Sequence, residues 1–113
     1  MPNFIVKNKD CIEIDELIID LKKNNKIQII DVRSREEFNA GHIPLSLHIE
    51  LKELKNQLVT LDLSVQYITT CGKGGGRSAD GAKILQSHGF ISNWLCGGVE
   101  KWLEKRNLLV HSS

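Results

Sequence analysis

One stretch of this sequence concentrates residues that can do chemistry. Cys71 is followed by Gly72, Lys73, Gly74, Gly75 and Gly76, and then by Arg77 and Ser78. Ordering a glycine costs more backbone entropy than ordering any other residue, so four of them in five positions need a reason. The run lies between a β-type segment ending at Thr70 and an apolar helical pattern starting at Ala79. A loop in that place can curl around an atom carried by Cys71, its amide N–H groups turned inward and the positive end of the next helix added. A free cysteine titrates near about 8.5 and is mostly protonated at neutral pH; inward amides and the charges of Lys73 and Arg77 favour the thiolate. The same donors can hold a persulfide, an oxyanion or a phosphoryl group. The competing reading is a flexible glycine linker beside a buried cysteine, but a linker does not need a strand before it, a helix after it and Arg77 at its end. A nucleotide P-loop fits worse, because the order Gly-x-x-x-x-Gly-Lys-Ser/Thr is absent.

The remaining candidates are weaker. Asp31 and Arg33 follow a β-rich run and lie near the same rim. They either support the loop or form an Asp–Arg network that caps neighbouring elements, and the second reading is preferred. His42 is read as a structural hydrogen-bonder, and Trp94 and Trp102 as packing anchors. Lys73 is either a solvated loop residue or an extra cation for a substrate. Three cysteines cannot all pair within one chain, and their spacing matches no zinc site. Cys96 ends a β-type run on the same sheet edge as Cys71, which allows a resolving thiol, although a small core residue is the favoured reading. Cys11, near the N-terminal arm, is expected to be uninvolved.

The elements that must position this loop follow from periodicity. Ile14, Leu17, Ile18 and Leu21 recur at helical spacing over 13–24, with Lys22 and Lys23 near the C-terminal end and Asn24-Asn25 as the stop. Ile27–Val32 is a short apolar run of the kind found in buried parallel strands. Ser34 and Glu37 form a capping box that starts a helix through about Ala40, which Gly41 ends before Ile43-Pro44 imposes extended backbone. A strand is expected over 47–49, a short helix carrying Leu51, Leu54 and Leu58, and strands over 65–70 and 91–95. One helix runs from the glycine-rich loop to about His88-Gly89, and a last one follows Gly97-Gly98 with Val99, Trp102 and Leu103 on one side. Strands alternating with helices argue for an α/β fold with an open, mostly parallel sheet, whose ligands sit beyond the carboxyl ends of the strands.

The 113 residues suit one domain, with an N-terminal arm over 1–10 and a polar tail over 111–113. The hydrophobic share of 41% and charged share of 26% exclude a disordered chain. Fifteen Lys and Arg against fourteen Asp and Glu leave a net charge of +1, which gives no reason to propose nucleic acid or membrane as a partner. No apolar run approaches the roughly 20 residues of a membrane span, and residues 1–11 lack the core of a signal peptide. The chain is therefore expected to be soluble and cytoplasmic.

Several segments taken together resemble the rhodanese-like domain family: Ile29-Ile30-Asp31-Val32-Arg33, Glu36-Glu37-Phe38 with Gly41-His42-Ile43-Pro44, the Cys71–Arg77 loop, and Gly97-Gly98-Val99 through Trp102. They occur in the family's order and cover about 13–106. The resemblance implies a rhodanese-like fold, with a central parallel sheet flanked by helices on both faces. It implies a sulfurtransferase in which Cys71 takes sulfane sulfur from a donor such as thiosulfate, becomes a persulfide and passes the sulfur to cyanide or a protein thiol. Arg77 would hold the small anionic donor, the amides of Gly72, Lys73, Gly74, Gly75, Gly76 and Arg77 would stabilise the persulfide, and no metal or organic cofactor would be needed. Two positions depart from the family's pattern. Five residues separate Cys71 from Arg77 where the usual loop has four, as in Cdc25-type phosphatases and eukaryotic arsenate reductases. Thr70, however, stands where those phosphatases carry His, and the loop lacks their Glu and Ser. Leu45-Ser46 replaces the usual Gly-Ala and is expected to affect packing. A third reading is a non-enzymatic sulfur carrier or interaction module.

Overall fold

The computed structural model describes residues 11–23 and 26–111, the last five through their backbone alone. The expected arm over 1–10 and the Asn24-Asn25 stop lie outside the described residues. In chain order the elements are β1 (Cys11–Ile12), α1 (Ile14–Lys23), β2 (Ile27–Asp31), α2 (Arg35–Ala40), β3 (Leu47–His48), α3 (Leu51–Gln57) with a 3₁₀ turn at Leu58–Thr60, β4 (Gln66–Thr70), α4 (Gly76–Ser87), β5 (Ile91–Leu95) and α5 (Gly98–His111). The five strands form one sheet in the order β1-β5-β4-β2-β3, and every pairing is parallel.

Alternation along the strands divides the core between two faces. On β2 and β4, Ile30 and Tyr67 face a cluster that includes Leu54 of α3 and Leu85 of α4. Their neighbours Ile29 and Ile68, which pair in register, face Ile14 and Leu17 of α1 and Val99 of α5. Helices thus cover both sides, as a sheet of parallel strands requires. Trp102 packs against the second cluster. Asp31, fully buried, closes β2 with a bidentate ion pair to Arg33, whose Nη2 also donates to the Gly41 carbonyl at 2.7 Å. This pair fastens the turn after α2. The predicted capping box is present: Ser34 Oγ accepts from the Glu37 amide, and Glu37 Oε1 accepts from the Ser34 amide.

Connections leave the sheet in opposite directions from β2, which leads to β3, and from β4, which leads to β5. The crevice between β2 and β4 is therefore the topological switch point, where ligands of open α/β sheets bind. The two chain segments leaving it are Val32–Glu37 and Cys71–Arg77.

Four expectations change. Cys11 is not idle and Cys96 is neither a lone core residue nor a resolving thiol for Cys71: the two form a disulfide, with Cα atoms 5.1 Å apart. The short strand β1 brings them together, since its Ile12 carbonyl accepts from the Cys96 amide at 2.9 Å. Two residues carry no periodicity, so neither β1 nor the pairing it creates is visible in the sequence pattern. The final helix continues through His111 rather than giving way to a tail there. Leu45 does not pack: it is 95% exposed, at φ +66, and its carbonyl is held by Gln28 Nε2. Among the described residues no helix is long and apolar enough to cross a membrane.

The Cys11–Cys96 bridge closes a sequence separation of 85 residues, which restricts the unfolded chain strongly. Replacing both cysteines by serine is expected to cost about 2–4 kcal/mol. The variant should show a lower thermal midpoint than the oxidised protein and no response to a reductant.

Candidate active site

Cys71 leaves the carboxyl end of β4 and is 5% exposed, at the floor of an open cavity of about 520 Å³. The loop around it closes into α4, whose N-cap is Gly75. Gly75 offers no side-chain cap, and no acidic residue sits in the first turn. That helix end is thus left available for an anion.

The glycines serve two purposes. Gly74, at φ +79, lies against the turn that opens α5; a Cβ there would stand 2.3 Å from the Gly97 amide nitrogen. Gly98, at φ +61, approaches from the other side, and its Cβ would meet the Cys71 carbonyl oxygen at 2.3 Å. Only residues without side chains allow two backbones this close. The contact is fastened by hydrogen bonds from the Val99 amide to the Cys71 carbonyl (2.8 Å) and from the Glu100 amide to the Gly72 carbonyl (3.0 Å). The positions of Gly72, Gly75 and Gly76 have open space beside them and line the cavity.

The sulfur's immediate partners are few. Sγ lies 3.2 Å from Ser78 Oγ and 3.3 Å from the Gly75 carbonyl oxygen. The Ser78 hydroxyl itself donates to Gly75 at 2.9 Å. At these distances a protonated Cys71 can donate to either oxygen. Loss of that proton lets the Ser78 hydroxyl turn toward the sulfur, while the Gly75 carbonyl becomes a repulsive neighbour. Burial pushes the Cys71 thiol up, but hydrogen bonding by the Ser78 side chain and by the backbone at Gly75, Ser78 and Gly74 outweighs it. The net position is below the ordinary value of a cysteine.

Ser78 is the residue that sequence reasoning missed. It is fully buried, and its carbonyl accepts from Thr69 Oγ1 at 2.7 Å, so β4 holds the start of α4 in place. A signal was available: Ser78 is the third residue of α4, and helical side chains lean toward the N-terminus.

Arg77 reaches the rim of the cavity, but its guanidinium is already engaged. Nη1 and Nη2 donate to Glu37 Oε1 and Oε2 at 2.7 and 3.0 Å. The Arg77 partner first, and the Ser34 amide second, draw the Glu37 carboxyl down to about 2. Glu37 raises Arg77 in return, with a smaller contribution from Cys71. Forty residues separate Arg77 from Glu37, and no local pattern announces their contact. Lys73 is exposed and lines the cavity with Glu100. Asp31 and Arg33 stay beneath the rim, bonded to each other and to Gly41 rather than to the Cys71 loop. His42 Nδ1 donates to the Phe38 carbonyl at 2.8 Å, and its ring stacks on that of Phe38. Thr70, fully buried, directs Oγ1 at the Cys71 carbonyl.

A parallel sheet with a cradled free thiol at its switch point defines the class: an α/β domain with a buried cysteine at its ligand-binding crevice. Comparison with known proteins makes the class specific. The chain belongs to the rhodanese-like domain family, whose model matches residues 15–105. It is 33% identical over 94 residues to a putative sulfurtransferase of Bacillus subtilis, YtwF, covering 83% of this chain and 82% of that one. It is 30% identical over 81 residues to the thiosulfate sulfurtransferase GlpE of Pseudomonas aeruginosa, covering 71% and 73%. Among solved structures, a rhodanese-like domain protein from Staphylococcus aureus aligns with a TM-score of 0.74 at 31% identity, over 82% of this chain and 90% of that one. The human single-domain sulfurtransferase TSTD1 aligns with a TM-score of 0.75 at 26% identity, over 87% and 98%. The fold expected from the sequence is the fold observed, and these kinships support a rhodanese-type sulfurtransferase.

Two outcomes test the site. Ser78→Ala removes a hydrogen bond to a partly buried charge and should slow alkylation of Cys71 at neutral pH about tenfold. Carboxyl titration by NMR should place Glu37 at about 2. The sign follows: the folded value is depressed, so the Glu37–Arg77 pair contributes above the unfolded value of about 4.3 and is lost as pH falls through about 2. Both partners are substantially exposed, which limits that contribution to about 1 kcal/mol or less.

Proposed function

We propose that this protein is a sulfurtransferase that carries sulfane sulfur on Cys71. The observation that carries the reading is the thiol itself, buried but held toward ionisation by Ser78 and the loop backbone, at the bottom of a cavity open to small donors. With thiosulfate, the Cys71 thiolate attacks the outer sulfur. The donor's S–S bond breaks, its electron pair leaves with sulfite, and Cys71 becomes a persulfide. An acceptor nucleophile, cyanide or a protein thiol, then attacks the outer sulfur of that persulfide and releases the Cys71 thiolate. No proton donor is needed in the first step, because sulfite departs as an anion. The loop backbone and the uncapped start of α4 hold the persulfide's charge through both steps. The cytoplasm, where thiols are kept reduced, suits a catalytic Cys71; in that compartment the Cys11–Cys96 bridge would be open much of the time.

The five-residue interval between Cys71 and Arg77 favours a second reading, phosphate-ester hydrolysis or arsenate reduction. Phosphate-ester cleavage is helped by a general acid at the leaving group. Of the two carboxylates lining the cavity, Glu37 is held at about 2 and has no proton to give at neutral pH.

Incubation of reduced protein with thiosulfate, followed by intact-mass analysis, should show one added sulfur atom that is absent from Cys71→Ser. Turnover of aryl phosphate or arsenate by the wild type, with no sulfur adduct from any sulfane donor, would reverse the order of the two readings.

A further inference from the structure

The residue best placed to bind an anionic donor is already occupied by an anion of the protein's own. Glu37 covers both terminal nitrogens of Arg77, and it is not free to swing away, because Oε1 also accepts from the Ser34 amide at 3.1 Å and from Ser34 Oγ at 3.0 Å. The capping box of α2 thus anchors a carboxylate against the active-site arginine. The other charged residues lining the cavity are Lys73 and Glu100, so its mouth carries two cations and two anions, with no net charge. The Cys71 thiolate adds a further negative charge once it forms. A dianion such as thiosulfate must approach Arg77 past Glu37, against a like charge at contact distance.

We propose that Glu37 is a specificity-determining residue, which disfavours dianionic sulfur donors and directs Cys71 toward sulfane sulfur carried by small organic persulfides. This rests on the sulfurtransferase reading above. For such a donor, R–S–SH, the Cys71 thiolate attacks the outer sulfur, the donor's S–S bond breaks, and the electron pair leaves on the thiolate R–S⁻. The product persulfide on Cys71 is the same as from thiosulfate, and no oxidant or reductant is consumed. Glu37 acts through Arg77 and does not itself touch the reacting sulfur.

Glu37→Gln separates the charge from the structural role. Glutamine serves the capping box as well as glutamate does, so α2 keeps its start, while the negative charge on Arg77 is gone. Loading of Cys71 is followed with thiosulfate and with 2-hydroxyethyl persulfide, in wild type and variant. The expected result is a KM for thiosulfate at least threefold lower in Glu37→Gln, with kcat changed less than KM, and a matching fall in the ratio of the two donors' KM values. Glu100→Gln, which removes the second carboxylate from the mouth, should shift that ratio in the same direction by less. A thiosulfate KM that stays constant or rises in both variants, with Cys71 still loading, overturns the role of Glu37 and leaves the sulfurtransferase reading intact. Failure of both donors to load Cys71 in all three proteins overturns that reading and this inference with it.

Discussion

A thiol that is almost sealed from water ionises only if the protein replaces the solvent it has lost. Around Cys71 that replacement is small and specific: one hydroxyl, from Ser78, and the backbone of the loop that runs into α4. Desolvation is the largest single influence on this sulfur and opposes the charge, so the hydrogen bonds win only as a group. Much of the molecule near the switch point serves to keep that group in place. Thr69 ties the start of α4 to β4, and the interlocked glycines at 74 and 98 hold the loop against α5.

The same constraint explains why distant parts of the chain converge on one edge of the sheet. β4 delivers Cys71, and β2 delivers Ser34 and Glu37 to the opposite wall of the crevice. Beneath them the buried Asp31–Arg33 pair fixes the turn that follows α2. Behind the loop, the Cys11–Cys96 bridge joins the sheet's edge strand to the residue preceding Gly97-Gly98. A single covalent link therefore stands one residue from the glycines that seat the Cys71 loop, and the redox state of that link bears on the stability of the frame.

Local patterns made most of this legible. The capping box at Ser34, the apolar runs of β2, β4 and β5, and the amphipathic spacing of α1 are short-range features, and the structure has them where the sequence places them. The cradle around Cys71 was legible from its glycines, although their purpose was only partly so: Gly74 also meets the turn at Gly97-Gly98, besides its backbone hydrogen bonding to the sulfur. What stayed hidden is long-range. The bridge from Cys11 to Cys96 depends on a strand of two residues, and the engagement of Arg77 by Glu37 on the meeting of α2 with the start of α4. At Leu45-Ser46, where an effect on packing was expected from the departure from Gly-Ala, a positive φ in a tight turn instead leaves the Leu45 side chain in solvent.

The most direct test is a spectroscopic titration of the Cys71 thiolate, followed by its ultraviolet absorbance in a Cys11→Ser/Cys96→Ser protein with Cys71→Ser as the blank. A midpoint below that of a free cysteine, about 8.5, is the predicted result. A midpoint at or above that value would mean that burial prevails over the donors, and that the loop does not prepare this sulfur for nucleophilic work.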